Sequence, residues 1–183
     1  MKRMVLAVLA VVCLVGVGTL SAQNVSFGVG GGLIKPLGDY NTVDKLGFIA
    51  GAGVRIPIGT APVAVRIEGT FSQTSHKDFQ GSAVDGKSRI IGGMASLVYA
   101  FQAGGSVTPY VLGGVGFYNL KVTVPSASVD TSTSKIGFGG GAGLRFPMGS
   151  ASLFVEARYM NIATSGGSTA YVPIIAGVSF GGK

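Results

Sequence analysis

The sequence predicts an all-β fold: an eight-stranded antiparallel up-and-down transmembrane β-barrel, preceded by a cleaved signal peptide. Three observations lead there. Only 11% of the 183 residues are charged while 47% are hydrophobic, against roughly 25% charged in an average soluble domain, so much of the folded surface faces something other than water. Beyond the N-terminal segment no apolar run reaches the 18 or so residues a membrane helix needs. Alternation of apolar with small or polar residues instead recurs along the whole chain, which is the pattern of half-buried strands.

The N-terminus carries Lys2 and Arg3, an apolar run from Met4 to about Val17, and the small-residue stretch Gly18, Thr19, Leu20, Ser21, Ala22. This is the layout of a secretory signal peptide, so residues 1–22 are assigned to it and 23–183 to a single barrel domain. The one cysteine, Cys13, lies inside the apolar run and is preceded by Val11 and Val12, where a lipoprotein would carry small residues. The mature chain then has no disulfide or thiol chemistry. Removal of Lys2 and Arg3 leaves 12 of the 14 basic residues against 7 acids, a formal charge of +5. These charges are scattered singly, unlike the clustered basic face of a nucleic-acid binder, so no nucleic acid is expected as a partner.

Eight strand segments follow in order, at about 25–34, 46–57, 63–74, 88–102, 109–121, 135–146, 151–162 and 171–180. In the first, Val25, Phe27, Val29, Gly31 and Leu33 alternate with Ser26, Gly28, Gly30 and Gly32. In the second, Leu46, Phe48, Ala50, Ala52, Val54 and Ile56 share a face; in the fourth, Arg89, Ile91, Gly93, Ala95, Leu97, Tyr99 and Phe101 do. The connections alternate as well. Those at 35–45, 75–87, 122–134 and 163–170 are longer and polar, whereas 58–62, 103–108 and 147–150 are short and rich in Gly, Pro, Ser and Thr. Long loops at one end and tight turns at the other characterise an outer-membrane barrel, and about 20 residues per strand and connection leave room for the ~10 that cross the bilayer.

One segment is echoed within the chain: GFIAGAGVRIPIG from Gly47 and GFGGGAGLRFPMG from Gly137, each running into a Pro-Gly turn and a further strand. Aromatic residues gather near the segment ends, with Phe27, Tyr99, Phe101, Tyr110, Phe146 and Phe180 toward the short turns and Phe48, Phe71, Phe138, Tyr159 and Tyr171 toward the longer loops. They are expected to form two belts at the membrane interfaces, ordinary core packing being the alternative.

If the apolar set faces lipid, Arg55, Arg66, Glu68, Arg145, Glu156 and Arg158 point into the lumen, which is then charged. Each glutamate has an arginine two residues away on its own face, suited to bidentate pairing in a narrow, water-poor space. Eight strands leave an interior just wide enough for side chains. The cluster therefore reads as a structural plug, with an ion-conducting or ligand-binding lumen as the competing reading.

Two motifs suggest other chemistry. Residues Gly81 to Ser88 match the phosphate-binding loop G-x-x-x-x-G-K-[ST], but the segment that follows alternates like a strand, where a phosphate loop needs a helix. His76, the single histidine, lies near Ser72, Ser75 and Asp78, a faint echo of a hydrolytic set whose members are too close in sequence to assemble a triad. A lone histidine makes no zinc site, and no acidic loop has calcium-binding spacing. No catalytic, cofactor-binding or metal residue is assigned.

The segments Pro109-Tyr110-Val-Leu-Gly-Gly-Val-Gly116, Glu156-Ala-Arg158-Tyr159 and Val172-Pro-Ile-Ile-Ala-Gly-Val-Ser-Phe180 resemble the OmpA/OmpX-like small outer-membrane barrels, the outer membrane protein β-barrel domain family, over nearly the whole mature chain. The resemblance implies a bacterial outer-membrane location, termini in the periplasm and insertion by the barrel-assembly machinery. Its members' roles range from envelope structure to adhesion and host-factor binding. The chain departs from the family in one respect: Gly181, Gly182 and Lys183 follow Phe180, where many members end on the aromatic residue. The expected function is a non-enzymatic structural or surface-interaction role. Its partners would be outer-membrane lipids, with four longer loops as the site for an extracellular ligand or host surface. A lipid A-modifying barrel enzyme, a soluble lipocalin-like carrier and a narrow ion-conducting pore are the alternatives.

Overall fold

The computed structural model of the chain describes residues 25–76, 86–101, 106–124, 129–164 and 167–181. The expected signal peptide lies outside them, as do Asp78 and most of the phosphate-loop-like motif. Eight strands are present: β1 Ser26–Leu37, β2 Gly47–Pro57, β3 Val63–Ser75, β4 Lys87–Ala100, β5 Thr108–Val124, β6 Val129–Met148, β7 Ala151–Thr164 and β8 Gly167–Gly181. Each pairs with its sequence neighbours, and β1 closes the ring on β8 from Ser26↔Gly181 to Leu37↔Ala170. All pairings are antiparallel. Closure leaves no sheet edge bare along the paired length, which is the condition for a sheet to cross lipid, where no water can satisfy backbone groups.

The alternation separates two walls. Phe27, Val29, Leu33, Phe48, Ile91, Leu97, Val115, Phe117, Phe138, Val155 and Ile174 are exposed on the outside. Their strand neighbours turn inward. Such a continuous apolar outer wall has no place in water and matches the hydrocarbon of a bilayer.

The turns at the short-connection end are built on left-handed glycines, Gly59 at φ +56° and Gly149 at φ +64°. A side chain in that region meets its own carbonyl, so only glycine adopts it without penalty.

At the other end the structure departs from the expected loops. Pairing of β5 with β6 continues to Val124↔Val129 and that of β7 with β8 to Thr164↔Gly167. The expected loops 122–134 and 163–170 are thus largely strand. Thr131, Ser132, Thr133 and Ser134 are all exposed, and a ribbon wetted on both faces shows no apolar alternation to read. The first long connection contains a helix, α1, Gly38–Val43.

Gly149→Val should cost about 1–2 kcal/mol, the penalty of placing a side chain in left-handed backbone. Urea unfolding in detergent should show the loss, whereas an unchanged midpoint would mean that the turn relaxes freely.

Candidate functional site

The lumen brings polar chemistry together across long sequence separations, and it is layered. Its centre holds Arg66 and Glu68 on β3 with Glu156 and Arg158 on β7. In a ring of eight, β3 and β7 are four strands apart and face each other across the lumen. The Arg66 guanidinium donates Nη1 to Glu156 Oε2 at 2.8 Å and Nη2 to Oε1 at 3.2 Å. Arg158 donates Nη1 and Nη2 to the two Glu68 oxygens, the second at 2.9 Å. Each arginine also turns its Nε toward the glutamate of its own strand. Arg158 Nε donates to Glu156 Oε1, and Arg66 Nε lies 3.3 Å from Glu68 Oε2, an ionic contact without hydrogen-bond alignment. The forked pairing therefore runs across the lumen, and the two-residue neighbours touch only through Nε.

Register explains the arrangement. In the echoed segments Gly53 corresponds to Gly143, and they stand opposite Glu68 and Glu156 respectively. The two glutamates are thus counterparts on opposite walls. Arg66 lies one inward-facing step nearer the short turns, opposite Arg55, and Arg158 one step farther from them, opposite Gly141. Each arginine bridges both carboxylates from its own side. The first turn joins Pro57↔Ala64 and the second Met148↔Ala151, so the first is longer and β3 and β7 are offset by two positions relative to the repeat.

Tyr110 completes the shell around Glu156, donating its hydroxyl to Oε2 at 2.8 Å. It reaches there over Gly143, its partner on β6, where a Cβ would stand 2.5 Å from the phenol oxygen. Tyr110 is 3% exposed, so it belongs to the lumen and not to the interface belt expected for it. The same correction applies to Tyr171, 2% exposed in the interior. Phe27, Phe48, Phe138, Tyr159 and Phe180 do face outward.

Above the charges, toward the longer connections, the lumen is apolar. Ile34, Ile49, Ile90, Met94, Tyr118, Met160, Ile162, Tyr171 and Ile175 pack into one buried cluster. The interior is therefore charged only in part. Parity along a strand tells which residues turn inward but not that this stretch is filled by hydrocarbon.

The outer end is covered by α1. Tyr40 stacks edge-on against Tyr171 at 6.4 Å between centroids and is hydrogen-bonded to Thr74 Oγ1 at 3.0 Å. Asp44, which follows the helix, accepts from Thr74 at 2.5 Å and from Ser88 at 3.2 Å, and His76 Nε2 lies 3.1 Å from the Ser88 hydroxyl. Asp44, Thr74, His76 and Ser88 are all buried. This set unites Ser, His and Asp from three segments, which sequence spacing could not reveal, and it differs from the local set of Ser72, Ser75, His76 and Asp78 weighed above, of which Asp78 lies outside the described residues. Ser72 is engaged elsewhere, with the Ile90 carbonyl, and Ser75 is exposed. The Ser88 hydroxyl meets the Asp44 carboxylate directly as well as His76, whereas in a catalytic triad the carboxylate holds the other nitrogen of the histidine. The group ties α1 to β3 and β4. Ser88 and Lys87 belong to a strand, which removes the helix a phosphate loop requires.

Arg55 on β2 and Arg145 on β6 stand apart from the central network. Arg145 lies over the Tyr110 ring at 5.6 Å, and Arg55 Nε is buried without a hydrogen-bond partner. Among the described residues no group of three or more His, Cys, Asp or Glu could hold a metal.

A closed eight-stranded ring with a hydrocarbon-matched outer wall and a charged interior defines a small transmembrane barrel of the bacterial outer membrane. The chain belongs to the outer membrane protein beta-barrel domain family, which it matches over residues 7–180. Among solved structures it is similar to Neisserial surface protein A, with 18% identity over 86% of this chain and 96% of that one at a TM-score of 0.65. It is also similar to OprG of Pseudomonas aeruginosa, with 15% identity over 86% and 96% at 0.53. A major outer membrane protein of Thermus thermophilus follows with 14% identity over 85% and 98% at 0.52. Identities this low speak for a shared fold. No curated protein matches the sequence.

Glu156→Ala removes the carboxylate that serves Arg66, Arg158 and Tyr110 and leaves buried charge unpaired. It should cost about 3–5 kcal/mol, read from urea unfolding in lipid vesicles, while the paired reversal Glu68→Arg with Arg158→Glu should recover much of the stability lost by either change alone. A mild effect of the alanine variant would show the network to be dispensable.

Burial holds the Tyr40 phenol up at about 12, the Thr74 hydrogen bond opposing and the Asp44 carboxylate adding to the shift. A raised folded-state value means that its contribution to packing of α1 is complete below pH ~10, the unfolded value, and is lost as pH rises through about 12. Site-specific NMR of the Tyr40 ring should show its inflection there; an inflection at the ordinary value would mean the ring is solvated.

Proposed function

We propose that the protein is a non-enzymatic outer-membrane barrel with a structural or surface-interaction role, its lumen plugged. The observation that carries the reading is obstruction at successive levels: arginine and glutamate from opposite walls joined across the centre, the apolar cluster above them, and α1 over the outer end. In this reading Arg66, Glu68, Glu156 and Arg158 act as interior fasteners. A lumen of this size has no aqueous path once such side chains meet. The Asp44 carboxylate bonds to Thr74 and Ser88, an arrangement that favours a structural role over a lipid-modifying enzyme. The apolar outer wall counts against a soluble carrier with an internal ligand cavity.

Surface interaction would fall to the outer end. There β6 runs on beyond Gly137↔Ile162, its last pairing with β7, and stays paired with β5 alone. The exposed Thr131–Ser134 stretch stands clear of β7 and offers its free backbone edge and the Thr131 and Thr133 hydroxyls to an extracellular partner, Ser132 and Ser134 being bonded to Asn119. Lipid contact with the outer wall and delivery by the barrel-assembly machinery complete the reading.

Reconstituted into a planar bilayer, the protein should pass no stable current, and its folded form should show heat-modifiable mobility on gels. A large, steady single-channel conductance would replace the plug by a pore. Lipid A of unchanged mass when the protein is overproduced would accord with a non-enzymatic role, and a new acylation state would contradict it.

A further inference from the structure

The charge balance of the lumen is unequal. Four arginines, Arg55, Arg66, Arg145 and Arg158, face two glutamates, and both carboxylates are engaged by Arg66 and Arg158. Arg55 and Arg145 are counterparts in the echoed segments and therefore project from opposite walls, β2 and β6, one inward-facing step below the glutamates. Neither makes an ion pair among the described residues, and Arg55 Nε is buried with nothing to bond. Two like charges facing each other in a space of low dielectric are costly unless a counter-charge stands between them.

The space for one is present. A cavity of about 70 Å³ is lined by Arg55, Arg66, Arg145, Tyr110, Ser26 and Ser179, and on its inner side by the paired Glu68 and Arg158. It runs from the short-turn end, where Ser26 opens β1 and pairs with Arg55 two residues before the end of β2, up to the charge network. That volume admits a few waters or one small oxyanion but nothing the size of a sugar phosphate. Planar guanidinium forks suit tetrahedral and trigonal oxyanions, and serine hydroxyls add neutral donors.

We propose that the short-turn half of the lumen is a binding site for a small free oxyanion of the phosphate class, clamped between Arg55 and Arg145 and reached from the periplasmic end. The cavity abuts the charge network, since Arg66, Glu68 and Arg158 also line it, but reaching it from the short-turn end requires no path through the barrel.

The test uses the refolded barrel in detergent, titrated with inorganic phosphate against sodium chloride of equal ionic strength. Phosphate should raise the unfolding temperature saturably, as a ligand that binds only the folded state does, and calorimetric titration should give a matching dissociation constant. Arg55→Gln and Arg145→Gln should each weaken that constant at least about tenfold, the loss of one charged hydrogen-bonding group worth roughly 1.4 kcal/mol or more. Should a glutamine variant fail to fold, Arg55→Lys and Arg145→Lys keep the charge but lose the fork, and these should also bind more weakly. Equal stabilisation by chloride, absence of saturable phosphate binding to the unaltered barrel, or unchanged binding by the lysine variants would overturn the proposal.

Discussion

In a lipid environment every backbone amide and carbonyl must find its partner within the protein, and the rest of this structure depends on how that demand is met. Eight strands close on themselves through the β1–β8 pairing, which sets the radius of the ring. The radius brings opposite walls within reach of arginine and glutamate side chains, so residues ninety positions apart pair as directly as neighbours do. Closure thus organises the interior as well as satisfying the backbone. The one interruption in the β7–β8 ladder falls between Ala157↔Ile174 and Met160↔Tyr171, at Pro173, which has no amide hydrogen to give. Arg158 sits at that interruption and is held by its side chain to two carboxylates.

The interior divides into three kinds of environment along the axis. Apolar side chains cluster in the outer half, a compact ionic network occupies the centre, and two arginines with no ion pair among the described residues flank a small cavity that borders that network on the short-turn side. Ionic groups in such a place are not a simple gain in stability, because their desolvation offsets most of their attraction. What they add is selectivity of arrangement: forked pairs fit in one relative orientation of β3 and β7, and Tyr110 joins only because Gly143 leaves its path open.

Much of the fold was legible in the sequence because the membrane imposes one simple rule on the outer wall. Strand identity, strand number and the inward parity of Arg66, Glu68, Glu156 and Arg158 all follow from reading every second residue. The rule fails where lipid is absent. The outer ends of β5 and β6 carry polar residues on both faces, so alternation stops although pairing goes on to Val124↔Val129. It is also silent about aromatic residues at strand ends: Tyr110 and Tyr171 suit an interface belt by type and place, yet both turn inward. For Tyr110 parity held a clue, since it shares a face with the inward Leu112 and Tyr118. The grouping of Asp44, His76 and Ser88 left no local trace, because it depends on α1 folding back over the barrel.

The unequal length of the two echoed turns has a wider meaning for how such interiors vary. With turns of equal length, β7 would slide by two residues against β6. Arg66 would then meet Glu156 in one layer and Glu68 would meet Arg158 in the next, as a pair of separate bridges. The extra residues between Pro57 and Ala64 interleave the charges into a closed circuit. A small insertion outside the membrane, in a segment that tolerates change, can thereby rewire the electrostatics of the interior while every strand residue stays the same.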